Sequence, residues 1–126
     1  KTSELFGVEK ERALRVAASI EMVHAYSLVH DDLPSMDNDE LRRGKPTTHK
    51  KFNEAVAILT GDSLLTLSFE ILSDTLTHSD ANIRCELILE LAKAAGALGM
   101  VGGQMMDLQA ENKNLNINFF QYIKFS

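Results

Sequence analysis

The chain has 126 residues, 44% hydrophobic and 25% charged, with two prolines, one cysteine and no tryptophan. That length predicts one domain spanning residues 1–126, and the composition suits a helix-rich globular protein. A formal net charge of -5 argues against general nucleic-acid binding, and the lone Cys85 excludes an intramolecular disulfide and fits a reducing, cytoplasmic compartment.

Taken in chain order, apolar residues fall at helical spacing from about Val8 to Leu33. Leu14, Ala17, Ala18, Met22, Ala25, Leu28 and Val29 form one broad apolar stripe, which predicts an amphipathic or largely buried helix. Pro34 disfavours helical geometry at Leu33, so the helix is expected to stop there. Residues 35–50 are polar, contain Gly44 and Pro46, and read as a functional loop with at most a short helical turn. A second helix is predicted from about Asn53 to Thr75, interrupted by Gly61, and a third from Asn82 to Leu98. Gly96, Gly99, Gly102 and Gly103 thin the next stretch, Asn112–Asn118 reads as a loop, and Phe119–Phe125 as a further apolar element. No strand alternation and no fixed-period repeat is visible. The fold class is therefore all-α. No apolar run approaches the ~18–20 residues that span a bilayer, and no leader is recognisable, so no membrane span is expected.

Chemistry concentrates at the end of the first helix. Asp31, Asp32 and Asp37 lie close together, and Arg42 and Arg43 follow. Asp31, Leu28, Ser27 and His24 fall at i, i-3, i-4 and i-7 and so share one helix face. Asp31 and Asp32 occupy the last turn, where the helix dipole disfavours negative charge by roughly 0.3–1 kcal/mol each. Such acids call for a cation. They can pair with Arg42, Arg43 and Lys45 as salt bridges, or hold Mg2+ while the arginines hold a diphosphate. Mg2+ characteristically binds through one or two carboxylates plus substrate phosphates. An EF-hand is excluded, because the alternating oxygen ligands, central glycine and terminal glutamate of its loop are absent.

The run His24-Ala-Tyr-Ser-Leu-Val-His-Asp-Asp-Leu-Pro-Ser-Met-Asp37, then Leu41-Arg-Arg-Gly-Lys-Pro-Thr-Thr-His49, resembles the first aspartate-rich motif of the trans-isoprenyl diphosphate synthases. The spacing of four residues between Asp32 and Asp37 is similar to that of the bacterial farnesyl and geranylgeranyl synthases. The likeness extends to Leu59-Thr60-Gly61-Asp62 and Gly103-Gln104-Met105-Met106-Asp107. It implies a helical bundle around a central cavity, a homodimer, and Mg2+-dependent condensation of isopentenyl diphosphate with an allylic diphosphate. In that pattern Asp31 and Asp37 are metal ligands and Asp32 supports them. Arg42 matches the arginine on the allylic diphosphate, Arg43 and His24 match groups on isopentenyl diphosphate, and Gln104 and Asp107 match a segment near the allylic group. Tyr26 and Ser27 match the positions that set product length. The aromatic at Tyr26 favours the fifteen-carbon farnesyl product over geranylgeranyl diphosphate. A noncatalytic subunit of a partner synthase is the alternative of another class.

The family's second aspartate-rich motif does not occur in these residues, so the chain is expected to represent part of a synthase. His30 reads as a packing residue and Asp62 as a partner in a local or interhelical hydrogen bond. Cys85 reads as inert, and Met100, Met105 and Met106 as gap-filling core residues. The role of His49 is not legible from sequence.

Overall fold

The computed structural model describes residues 1–111. In chain order it contains α1 (Thr2–Leu5), α2 (Lys10–Asp31), β1 (Leu41–Arg42), β2 (Lys45–Pro46), α3 (Thr48–Lys51), α4 (Glu54–Ser73), α5 (Ala81–Ala95) and α6 (Met100–Glu111). The chain divides into two units, one over Lys1–Cys85 and one from Glu86 onward. The expected loop at Asn112–Asn118 and the element at Phe119–Phe125 lie outside the described residues.

The first unit is built on α2 packed against α4. The face of α2 that is buried carries Ser19, Val23, Tyr26 and Ser27, and α4 buries Ala57, Gly61, Ser68 and Leu72. Small side chains at Ser19, Ala57 and Ser68, all fully buried, let the two helices pack closely. This corrects the expected stripe. Leu14 is 58% exposed, Ala17 is exposed, and Met22, Leu28 and Val29 are only half-buried. Apolar character alone pointed to the wrong edge of the helix, because close backbone approach selects small residues rather than the greasiest ones.

Helix α4 starts where Asn53, in extended conformation, accepts a hydrogen bond from the Val56 backbone N–H at 2.8 Å. This satisfies one of the donors that every helix N-terminus leaves unpaired. At the other end, Arg15 of α2 reaches the turn after α4. Its Nε donates to Thr77 Oγ1 at 3.0 Å, and Nη2 lies 3.3 Å from Asp74 Oδ2. Thr77, itself buried, donates to the Ile71 carbonyl and closes that corner. By length and composition α4 could span a membrane, contrary to the expectation that no apolar run approaches that size. Glu54, Asp62 and Glu70 interrupt it, and one face is taken by α2. Its outer surface forms an open groove lined by Val56, Leu59, Thr60, Ser63, Leu64 and Leu67.

The segment read as a loop is more ordered than expected. β1 and β2 pair antiparallel, with Leu41 opposite Pro46 and Arg42 opposite Lys45. Arg43 (φ 51) and Gly44 (φ 76) make the two-residue turn, both left-handed as a hairpin matching the right-handed strand twist requires. One turn of helix, α3, follows and packs on α4. In the second unit α6 forms despite Gly102 and Gly103 within it.

Candidate functional site

The end of α2 is folded into a compact acidic knot. Pro34 blocks continuation of the helix. The chain turns so that the Asp37 backbone N–H donates to the Asp31 carbonyl at 2.8 Å, Asn38 to Leu33 at 3.0 Å, and Asp39 to Asp32 at 3.1 Å. Position 37 is thereby folded back onto the helix end that carries Asp31. Asp31 is half-buried and Asp37 exposed.

Asp32 has a different environment, at 3% exposure. Its two carboxylate oxygens accept from Arg42, Oδ2 from Nε at 3.0 Å and Oδ1 from Nη2 at 2.6 Å. This two-pronged geometry matches the planar guanidinium to a carboxylate and anchors β1 to the end of α2. Of the two readings the sequence left open, the salt bridge holds for Asp32. The hydrogen bonds that Arg42 donates to the Asp32 carboxylate, with the nearby Asp39 and Asp31 carboxylates, raise the Arg42 pKa further above its already high ordinary value. Arg43 stands exposed at the hairpin tip, with its backbone in the left-handed region that costs a side-chain-bearing residue roughly 1–2 kcal/mol.

Behind the hairpin lies an arrangement the sequence did not announce. Thr47 and His49 are buried, at 3% and 7% exposure. The Thr47 hydroxyl donates to the Asp39 carbonyl at 2.8 Å, and its oxygen lies 3.2 Å from His49 Nδ1. A hydroxyl has one proton, so with that proton on Asp39 the threonine accepts from Nδ1–H. This network assigns His49 the Nδ1–H tautomer and leaves Nε2 buried with no partner among the described residues. Lys50 Nζ closes the base of the hairpin 2.9 Å from Glu40 Oε1 and, by hydrogen bonding and charge, holds the Glu40 pKa below its ordinary value.

The remaining site residues divide by position. Tyr26 and Ser27 are buried where α2 meets α4, and burial, then the Asp31 charge, raises the Tyr26 pKa. The Ser27 hydroxyl donates to the His24 carbonyl at 2.7 Å. His24 is exposed although it shares a helix face with Ser27 and Asp31, so the shared face does not mean a shared environment. His30 Nε2 lies 3.0 Å from the Ile58 carbonyl and 3.8 Å from Asp62 Oδ1. Gln104 (half-buried) and Asp107 (exposed) lie on α6 in the second unit.

Asp31 and Asp37 offer hard carboxylate oxygens, the donor type Mg2+ prefers, and the turn at Pro34 brings their backbones together. No cluster of three or more His, Cys, Asp or Glu side chains suited to a metal occurs among the described residues. Two carboxylates alone would leave most of an ion's coordination shell to water or to phosphate oxygens.

The helical frame is that of the isoprenoid synthases. A solved FPP/GFPP synthase from Zymomonas mobilis superposes with a TM-score of 0.85 at 56% identity, covering 91% of this chain and 41% of that one. Farnesyl diphosphate synthase of Geobacillus stearothermophilus is 51% identical over 123 residues, 97% of this chain and 41% of that enzyme. The large subunit 1 of a heterodimeric geranylgeranyl pyrophosphate synthase from Arabidopsis thaliana is 47% identical over 125 residues, covering 97% of this chain and 33% of that one. The polyprenyl synthetase family model matches residues 1–126. The chain belongs to the polyprenyl synthetase family.

Proposed function

We propose that this chain carries the allylic-diphosphate end of a prenyltransferase that joins isopentenyl diphosphate head-to-tail to dimethylallyl or geranyl diphosphate, yielding farnesyl diphosphate and releasing pyrophosphate. The observation that carries the reading is the acidic knot with an arginine hairpin clamped to it through Asp32 and Arg42. Ionising an allylic C–O bond gathers negative charge on the leaving diphosphate, and groups fixed in advance where that charge develops lower the barrier. Asp31 and Asp37 would hold Mg2+, which supplies charge neutralisation at the diphosphate when bound. Asp32, with both oxygens committed to Arg42, acts as the anchor of the hairpin rather than as a ligand. Arg42 and Arg43 present guanidinium donors to diphosphate oxygens. Tyr26, buried below the acids, acts as the floor against which the growing hydrocarbon chain stops.

The protein works in the cytoplasm as a homodimer in this proposal. Production of geranylgeranyl diphosphate is the second reading, favoured by the similarity to the Arabidopsis large subunit, and a non-catalytic subunit role is the third. Incubation of the full-length protein with Mg2+, isopentenyl diphosphate and dimethylallyl diphosphate, with products separated by chromatography, tests all three. A fifteen-carbon product with pyrophosphate release supports the first reading and a twenty-carbon product the second. Absence of turnover by the folded protein, restored only by adding a partner synthase, would replace both with the subunit role.

A further inference from the structure

We propose that His30 is a positioning residue for product length, bracing the Tyr26 ring at the α2–α4 junction. The proposal rests on the reading of Tyr26 as the floor of the hydrocarbon site. Tyr26 and His30 are one helical turn apart, and long side chains on a helix lean toward its N-terminus, so the imidazole leans over the phenol. The two rings meet edge to face, 5.5 Å between centroids with an interplanar angle of 87°. Offset or edge-to-face contact is the preferred geometry for such rings.

The imidazole is itself fixed from α4. Nε2 donates to the Ile58 carbonyl at 3.0 Å, which places the proton on Nε2 and sets the ring plane. The Asp62 carboxylate approaches the same nitrogen at 3.8 Å, and reinforces a donor at that position. Gly61 completes the seat. A Cβ there would overlap the imidazole, so α4 is cleared at the point where the ring enters. Tyr26 is thus braced by a side chain that three neighbouring positions of α4 hold in one orientation. A floor residue must resist a flexible hydrocarbon pressing on it. A tyrosine held only by its own torsions can swing aside, whereas one braced by a fixed ring cannot do so without breaking the His30–Ile58 hydrogen bond or opening the helix pair.

The test compares His30→Ala, His30→Gln and Gly61→Ala with Tyr26→Ala and the parent, all in the full-length protein, using Mg2+, isopentenyl diphosphate and dimethylallyl diphosphate. The readout is the ratio of twenty- to fifteen-carbon product. His30→Gln keeps a donor for the Ile58 carbonyl but removes the ring, and Gly61→Ala displaces the ring without changing His30. All three are expected to raise the ratio about five-fold, the size of effect an aromatic edge contact commands. The rate of allylic substrate consumption should change much less. General loosening of the helix pair would instead lower the rate at constant ratio. A parent-like ratio in the His30 variants, with Tyr26→Ala still shifting products, overturns the bracing role and leaves the floor intact. A parent-like ratio in Tyr26→Ala removes the floor reading and the brace with it. Loss of folded protein in both His30 variants, followed by circular dichroism, would make His30 a stability residue and also overturn the proposal.

Discussion

Replacing Arg42 with alanine strands the Asp32 carboxylate. Asp32 is 3% exposed and has no other side-chain partner among the described residues, whereas the Arg42 side chain is 36% exposed. Breaking a fully buried ion pair from one side costs about 3–5 kcal/mol. Solvent reaching the arginine end relaxes part of that cost, which leaves about 2–3 kcal/mol for Arg42→Ala. The reverse change, Asp32→Ala, leaves a guanidinium that turns toward water, at about 1–1.5 kcal/mol, the low end for hydrogen bonds to a charged group because solvent screens the exposed arginine. The asymmetry is the signature: the arginine substitution is the more damaging by about 1 kcal/mol, because the buried partner is the acid. Arg42→Lys should fall between, since an ammonium cannot span both oxygens at once. Urea unfolding followed by far-ultraviolet circular dichroism measures all of these together with the double variant. Equal losses from the two single variants, or a coupling below about 0.5 kcal/mol, would show that the pair does not hold the hairpin to α2.

Other expectations follow from single contacts. The raised pKa of Tyr26 means that the folded protein keeps this phenol neutral where the unfolded chain ionises it. Its contribution to stability is therefore complete below about pH 10 and is lost as pH rises through the higher folded value. Tyr26→Phe should show a shallower alkaline decline in urea midpoint; an unchanged slope would contradict the burial of the hydroxyl. Asn53→Ala removes the cap of α4 and should cost about 1 kcal/mol, with Asn53→Asp close to parent. Equal stability of the alanine variant would deny the cap any energetic role. Arg43→Gly relieves a left-handed backbone, offset by added freedom in the unfolded chain, so stability should hold or rise by up to about 1 kcal/mol. Inorganic pyrophosphate should bind this variant less tightly in the presence of Mg2+, and unchanged binding by calorimetry would remove Arg43 from the anion site.

Much of the helical frame was legible in the sequence. Residues 10–31, 54–73 and 81–95 carry dense apolar residues at helical spacing, and Pro34 and Asn53 mark a stop and a start by mechanisms local to the chain. The cluster of acids before paired arginines was visible for the same reason, since close spacing in sequence keeps side chains close in space whatever the fold. The hairpin was not legible. Its strands are two residues each, too short to show alternation, and Arg43-Gly44 lacks the Asn-Gly or Asp-Gly signature of a tight turn.

What the sequence determined by itself was therefore local: helix type, helix limits, and the chemical character of the motif. Only the tertiary structure decided which face of α2 turns inward, because that depends on how closely Ala57 and Ser68 of another helix let it approach and on the space Gly61 leaves for a side chain. It also decided that Asp32 takes Arg42, that Thr47 takes His49, and that His30 rests against Tyr26 in the space Gly61 leaves. Each of these depends on distance and burial between segments brought together by folding, and spacing along the chain carries neither.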